Sequence, residues 1–291
     1  MNKEDYYHKK LEALSDKELR IFSRPDLIKN PKKFHIVGIC GTATRALAGL
    51  LREKGFVVSG SDQVCYPPIS TMLEGLDVQT HIGNFEVKNI GDADVVVIGN
   101  VARPQNPEAQ FARENNLVQA TLPEVLREYI FEDALRIVVA GTHGKTTTTG
   151  LLAEIFETSG AYPGYMIGGV PQGKEHGFAM GSGEFAIFEG DEYDTSYFNK
   201  MPKFLQYGAH TGTVTSVELD HLDIYSDLAD YRKAFEFFVS EIPEDGFIFL
   251  NGDKDETRSL SMVSKSHVMT YGLSDKNNIT ARNLKKENGM Q

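Results

Sequence analysis

A glycine-punctuated turn, Gly141-Thr-His-Gly-Lys-Thr-Thr-Thr148, joins an apolar β-branched run at residues 135–140 to a stretch of helical spacing that ends near Ser159. Few folds accept that order. A buried strand that runs into a tight turn and opens a helix is part of a βαβ unit, so the chain around it is α/β with a parallel sheet. Backbone N–H groups at such a helix start cradle phosphate, and the helix dipole favours the anion. In this setting Lys145 reaches the β- and γ-phosphates and the Thr146 hydroxyl holds Mg2+. The candidate ATP-binding residues are Gly141, Thr142, His143, Gly144, Lys145, Thr146 and Thr147. Only the second half of the Walker pattern is intact, because Val139 stands where that pattern has glycine. His143 reads either as a loop residue kept for its backbone or as a donor to phosphate or a carboxylate.

Two acidic clusters follow strand-like runs. Glu189-Gly-Asp-Glu-Tyr-Asp194 comes directly after the apolar run at residues 185–188. A carboxylate at the C-terminal end of a parallel strand lies where α/β sheets bind ligands, and one such group can complete a Mg2+ shell begun by the loop threonine. Glu218-Leu-Asp-His-Leu-Asp223 follows a second run, read as a strand over 213–218. There His221 is either a ligand of a second divalent ion or part of a turn ahead of the amphipathic helix at 228–240.

An earlier α/β series precedes these motifs. Strands are expected at 34–40, 56–59 and 94–99, with a helix at 46–52. Gly38-Ile-Cys-Gly41 and Asp62 form the skeleton of a dinucleotide fold, although Cys40 occupies the second glycine position and Arg45 lies just beyond. Cys40 reads as a small buried residue, since no histidine partner lies near it in sequence. A helix over 121–132, capped by Thr121 with Pro123 and Glu124 in its first turn, contains the expected domain boundary. The expected organisation is a helical extension at 1–33, a Rossmann-like parallel-sheet domain at 34–125 and a P-loop-type α/β domain at 126–291.

Composition narrows the function classes. Lys plus Arg number 30 against 41 Asp plus Glu, a net charge of −11, which argues against a general nucleic-acid binder or an anionic-membrane binder. With two cysteines, Cys40 and Cys65, a disulfide framework is not expected and a reducing cytoplasm fits best. No apolar run approaches the ~20 residues of a membrane span, and the polar N-terminus does not read as a secretory signal.

The three motifs in this order, after a nucleotide-type first domain, resemble the Mur ligases of peptidoglycan synthesis. Within that family the chain is similar to the UDP-N-acetylmuramate-specific members. One such activity adds L-alanine; the other adds the recycled tripeptide L-alanyl-γ-D-glutamyl-meso-diaminopimelate. Tyr66-Pro-Pro-Ile-Ser-Thr71, Ile167-Gly-Gly-Val-Pro171, Tyr193 and the pair Lys203-Phe204 look like the recycling type. The resemblance implies ATP, Mg2+, UDP-N-acetylmuramate and an amino-acid or peptide amine as cofactors and substrates. It implies Thr146, Glu189 and His221 as metal ligands, with Lys145, Glu189 and His221 as the catalytic set. It implies Gly38, Cys40, Gly41, Thr42, Ser61, Asp62 and Asn100 as the UDP-sugar site.

There are departures from the pattern. Ser216 stands where the family commonly has asparagine, and Gly190 where alanine is usual. Phe235, with Lys233 nearby, occupies the position of a lysine that some members carbamylate, so that modification is not expected. The family continues into a third domain that is absent before Gln291, so a fragment or a truncated, weakly active product is expected. Two rival classes remain: a nicotinamide-dependent oxidoreductase, which leaves the Gly141 loop unexplained, and a non-catalytic nucleotide or UDP-sugar binder.

Overall fold

The protein is described by a computed structural model covering residues 2–12, 25–220 and 224–285. The chain begins with helix α1 (Lys3–Glu12). The first sheet then forms from β1 (Lys33–Val37), β2 (Val57–Asp62), β3 (Gln79–Ile82), β4 (Val95–Ile98) and β5 (Val118–Ala120). Helices α2 (Thr42–Glu53), α3 (Ile69–Gly75) and α4 (Pro107–Glu114) connect them, with a 3-10 turn at Val87–Ile90. The strands are all parallel, in the order β3-β2-β1-β4-β5. This is the 3-2-1-4-5 order of a doubly wound, Rossmann-like sheet, and it puts every β-to-α turn at one edge. Strand β4 is buried at all four positions, as a strand covered on both faces must be.

Thr121 closes a capping box with Glu124, whose carboxylate accepts from the Thr121 N–H at 2.7 Å. The helix that follows is shorter and less regular than the sequence suggested. α5 (Leu122–Val125) passes into a π-helical turn at Leu126–Ile130, and the chain turns at Phe131.

The second sheet is larger. It comprises β6 (Leu135–Ala140), β7 (Gly164–Met166), β8 (Phe178–Ala179) and β9 (Phe185–Gly190), with α6 (Lys145–Thr158) after β6. A separate antiparallel hairpin, β10 (Asp194–Ser196) and β11 (Asn199–Pro202), leads into α7 (Lys203–Gln206) and back to the sheet at β12 (Thr211–Val214). Helix α8 (Leu228–Glu241), β13 (Phe247–Asn251), α9 (Asp255–Arg258), a 3-10 turn at Ser259–Val263, β14 (His267–Gly272) and β15 (Ile279–Thr280) complete it. The order is β15-β14-β13-β12-β6-β9-β7-β8, parallel except for β8.

One expected strand is cut short. Residues 213–218 read as a strand because they are β-branched, yet β12 ends at Val214. Thr215 to Glu218 leave the sheet to hold the loop after β6, so tertiary hydrogen bonding overrides strand propensity.

Of the helical extension expected at 1–33, residues 3–12 form α1 and residues 25–32 are not helical. Leu14, Leu19 and Ile21, whose spacing in the sequence suggests continued helix, lie outside the described residues. α1 docks on α8. Tyr7 is buried, Tyr6 and Tyr7 pack on Phe237, and Lys10 pairs with Asp230 at 2.8 Å while lying over the Tyr225 ring. Burial pushes the Lys10 ammonium below its ordinary pKa, against the opposing pull of Asp227.

The two sheets meet where α2 touches β8. The Phe178 ring fills the space over Gly49, where a Cβ would lie 2.3 Å from its Cζ. Among the described residues no helix is long and apolar enough to cross a membrane.

Candidate active site

β6 delivers the chain into the glycine loop. Gly141 has φ +135°, and a Cβ there would sit 2.1 Å from Thr215 Oγ1 and 2.9 Å from the Ser216 nitrogen. Only glycine allows the segment after β12 to come this close. That segment then fixes the loop. The Thr142 N–H donates to the Ser216 carbonyl at 3.0 Å, the His143 N–H to Ser216 Oγ at 3.0 Å, and the Thr215 hydroxyl to the His143 carbonyl at 2.6 Å. The Thr142 side chain bonds the Glu218 backbone and the Tyr231 hydroxyl. Ser216, a departure in sequence, thus serves as an acceptor for the loop backbone.

Gly144, with φ +82°, ends the loop and opens α6. The Lys145 ammonium is folded back. It donates to the Gly141 carbonyl at 2.7 Å and the Thr142 carbonyl at 3.2 Å, and pairs with Glu192 at 2.8 Å. Glu192 is buried, and its carbonyl accepts from the Tyr225 hydroxyl at 2.8 Å. The sequence offered Glu192 only as one member of an acidic run. Its role as the loop lysine's counterion becomes visible when β9 lies beside β6.

Thr146 and Glu189 are brought together: the threonine hydroxyl donates to Glu189 Oε1 at 2.7 Å. The Gly168 N–H donates to the other carboxylate oxygen at 2.7 Å. A hydroxyl and a carboxylate are hard oxygen donors of the kind Mg2+ takes, so the pair fits that ion. His221, expected as a further ligand, lies outside the described residues. His143 is exposed, with Nε2 3.5 Å from a Glu218 carboxylate oxygen. Together Thr142 to Thr147, Glu189, Asp191 and Tyr193 line an open cavity of about 350 Å3. Phe235 is fully buried and stacked on Phe204, while Lys233 pairs with Glu236.

The first sheet gathers its own candidates at its C-terminal edge. Gly38 ends β1 with φ +82°, and Gly41 sits at the N-cap of α2. Asp62 Oδ2 accepts from the Cys40 N–H at 2.9 Å, and Asn100 is exposed beyond β4. Ser61 is different: it is buried, and its hydroxyl bonds the buried Glu108 carboxylate. Glu108 also accepts from Asn89 at 2.8 Å and lies 3.2 Å from His35 Nε2. Burial pushes the Glu108 pKa up, but hydrogen bonds from His35, Ser61 and Asn89 outweigh it, and the net shift is downward.

Cys40 is not the small buried residue expected, and the expectation that the two cysteines stay unbridged is corrected as well. Cys40 is half-buried and forms a disulfide with Cys65, with Cα atoms 5.6 Å apart. The reason is register. β1 and β2 are parallel neighbours with Val37 opposite Ser61, so the turns after them run side by side.

Comparison with known proteins agrees with this arrangement. The family described as Mur ligase family, catalytic domain, matches residues 33–132, and the Mur ligase middle domain matches residues 139–291. The chain is 39% identical over 216 residues to UDP-N-acetylmuramate--L-alanyl-gamma-D-glutamyl-meso-2,6-diaminoheptandioate ligase of Escherichia coli, covering 74% of this chain and 47% of that protein. It is 34% identical over 258 residues to UDP-N-acetylmuramate--L-alanine ligase of Aquifex aeolicus, covering 89% and 55%. The crystal structure of UDP-N-acetylmuramate:L-alanyl-gamma-D-glutamyl-meso-diaminopimelate ligase from Neisseria meningitides superimposes with a TM-score of 0.79 at 34% identity, over 84% of this chain and 79% of that one. The chain spans about half the length of the curated relatives it matches. The glycine loop and its paired Thr146 and Glu189 fall in the middle-domain match, the Gly38 turn falls in the other, and the chain belongs to the Mur ligase family.

Proposed function

We propose that this chain is the sugar-nucleotide- and ATP-binding part of a cytoplasmic ATP-dependent ligase. The ligase joins the carboxylate of UDP-N-acetylmuramate to the amine of L-alanyl-γ-D-glutamyl-meso-diaminopimelate. Residues 34–125 hold the sugar nucleotide, through Gly38, Gly41, Thr42, Asp62 and Asn100, and residues 126–291 hold ATP. The observation that carries this reading is the Thr146–Glu189 contact at 2.7 Å beside a loop that presents Lys145.

The reaction so read is acyl activation: the acceptor carboxylate takes the γ-phosphoryl group, ADP leaves, and the amine opens the acyl phosphate with loss of phosphate. Mg2+ supplies charge neutralisation on the transferring phosphoryl group. Thr146 and Glu189 are the residues here that would hold it, with His221 as the further ligand expected from sequence. Lys145 is the cation of the loop, held by two carbonyls and Glu192. It exchanges its loop carbonyls and Glu192 for the phosphate, while Glu192 keeps it neutralised and in place beforehand. Loop N–H groups bind phosphate oxygens. No protein nucleophile is required.

A ligand-binding comparison tests the reading. UDP-N-acetylmuramate and Mg-ATP should each raise the melting temperature, since a ligand at 100 times its Kd stabilises by about 2.7 kcal/mol. A response to NADH alone, or to none of these, refutes it. The second reading, ligation to L-alanine, is favoured by the longer match to the Aquifex relative. Amide formation with L-alanine but not tripeptide, in the protein extended to the length of its relatives, would select it.

A further inference from the structure

A cavity of about 200 Å3 opens between the two sheets, apart from the ATP loop itself. Thr42 and Arg45 of α2 line one wall; Gly168, Gly169, Glu175 and His176 line the other. Both ends matter. Thr42 adjoins the Gly38–Gly41 turn of the first sheet. The opposite wall touches the ATP site directly, because the Gly168 N–H bonds Glu189 and a Cβ on Gly169 would lie 3.4 Å from Thr146 Cγ2. The cavity is therefore the passage between the two ligand-binding edges.

Arg45 is the cation of this passage, and its guanidinium makes no hydrogen bond or ion pair among the described residues. The facing Glu175 forms no ion pair with it either. His176 is stacked on Phe178 with its ring plane within 8°, which fixes that wall. A half-buried guanidinium with five donors and, among the described residues, no protein acceptor in a shaped cleft is matched to a planar or tetrahedral oxyanion. Nothing in the packing requires arginine here, since the buried face of α2 is carried by Ala46, Leu47, Leu50 and Leu51.

We propose that Arg45 is a substrate-binding residue that pairs with an oxyanion of the sugar nucleotide where that ligand passes from the first sheet toward Thr146 and Glu189. The proposal rests on the sugar-nucleotide reading above. Two oxyanions of that ligand share this chemistry, its diphosphate and its carboxylate.

The test is calorimetric titration of the whole chain and its Arg45→Gln and Arg45→Lys variants with UDP-N-acetylmuramate and with UDP-N-acetylglucosamine, which lacks the carboxylate. Losing a charge-assisted pair should weaken binding by roughly 10- to 100-fold in Arg45→Gln, with partial recovery in Arg45→Lys. Equal loss for both ligands assigns Arg45 to the diphosphate, and loss confined to UDP-N-acetylmuramate assigns it to the carboxylate. Wild-type affinity in Arg45→Gln overturns the proposal while leaving the sugar-nucleotide reading intact. Failure of the unaltered chain to bind either ligand overturns both. Unchanged melting temperatures of the ligand-free variants show that any loss is not a loss of fold.

Discussion

The Thr146 hydroxyl and the Glu189 carboxylate meet at 2.7 Å, one from the first turn of α6 and the other from the end of β9. Parallel pairing of β6 and β9, with Val139 opposite Glu189, sets that meeting. Glu189→Gln keeps the shape and removes the charge. It should abolish the Mg2+ dependence of ATP binding and weaken Mg-ATP by at least about tenfold, measured by titration with and without the metal, whereas Thr146→Ser should bind nearly as the parent does.

The two left-handed glycines of the loop should respond unequally to alanine. Gly144→Ala meets no atom within 4 Å and should cost only the left-handed backbone penalty, about 1 kcal/mol. Gly141→Ala drives a methyl into Thr215 and the Ser216 backbone, so it should cost clearly more and abolish ATP binding. Denaturant melts of both variants decide this; equal losses would mean that the Thr215 segment is free to withdraw.

The disulfide makes stability depend on redox conditions. Cys40 and Cys65 close a loop with a sequence separation of 25. Opening a crosslink of that size should cost about 2–4 kcal/mol. Reductant should therefore lower the melting temperature of the parent and leave Cys65→Ser unchanged. Identical parent curves with and without reductant would show that the two thiols are not bridged in solution.

Acid should act through Glu108. Its carboxyl titrates below its ordinary value of 4.5 in the folded chain, so the stabilisation is complete above that value and is lost as pH falls through the lowered one. Glu108→Gln should flatten the acid limb of a stability-against-pH curve. At neutral pH it should cost about 2–4 kcal/mol, because one of the two acceptor oxygens shared by His35, Ser61 and Asn89 becomes an NH2 donor facing donors and the charge is lost.

Much of the fold is legible in the chain because parallel strands covered on both faces read as short apolar runs. Those at β1, β4, β6 and β9 coincide with the expected segments to within a few residues. The hairpin β10–β11 was not legible, since Asp194-Thr-Ser and Asn199-Lys-Met carry no apolar alternation. At the site, Lys145, Thr146 and Glu189 could be named because loop chemistry ties residue type to position. The roles of Glu192, which pairs with Lys145, and of Ser216 and Tyr231, which hold the backbone and side chain of the loop at Thr142 and His143, could not, since each depends on which segments the fold brings beside the loop. Cys40–Cys65 and Arg45 belong to the same class: their meaning depends on which turns run side by side and which walls face each other.

Helix α1 lies before the first family match, which begins at residue 33, yet it shares its interior with the second sheet through Tyr7 and Phe237. The stretch that the family models match and the stretch that excludes water are therefore different lengths of chain. A version trimmed to residues 33–291 would leave the Phe237 face of α8 wet and Asp230 without its lysine, so the matched segment carries an apolar patch that the leading helix covers.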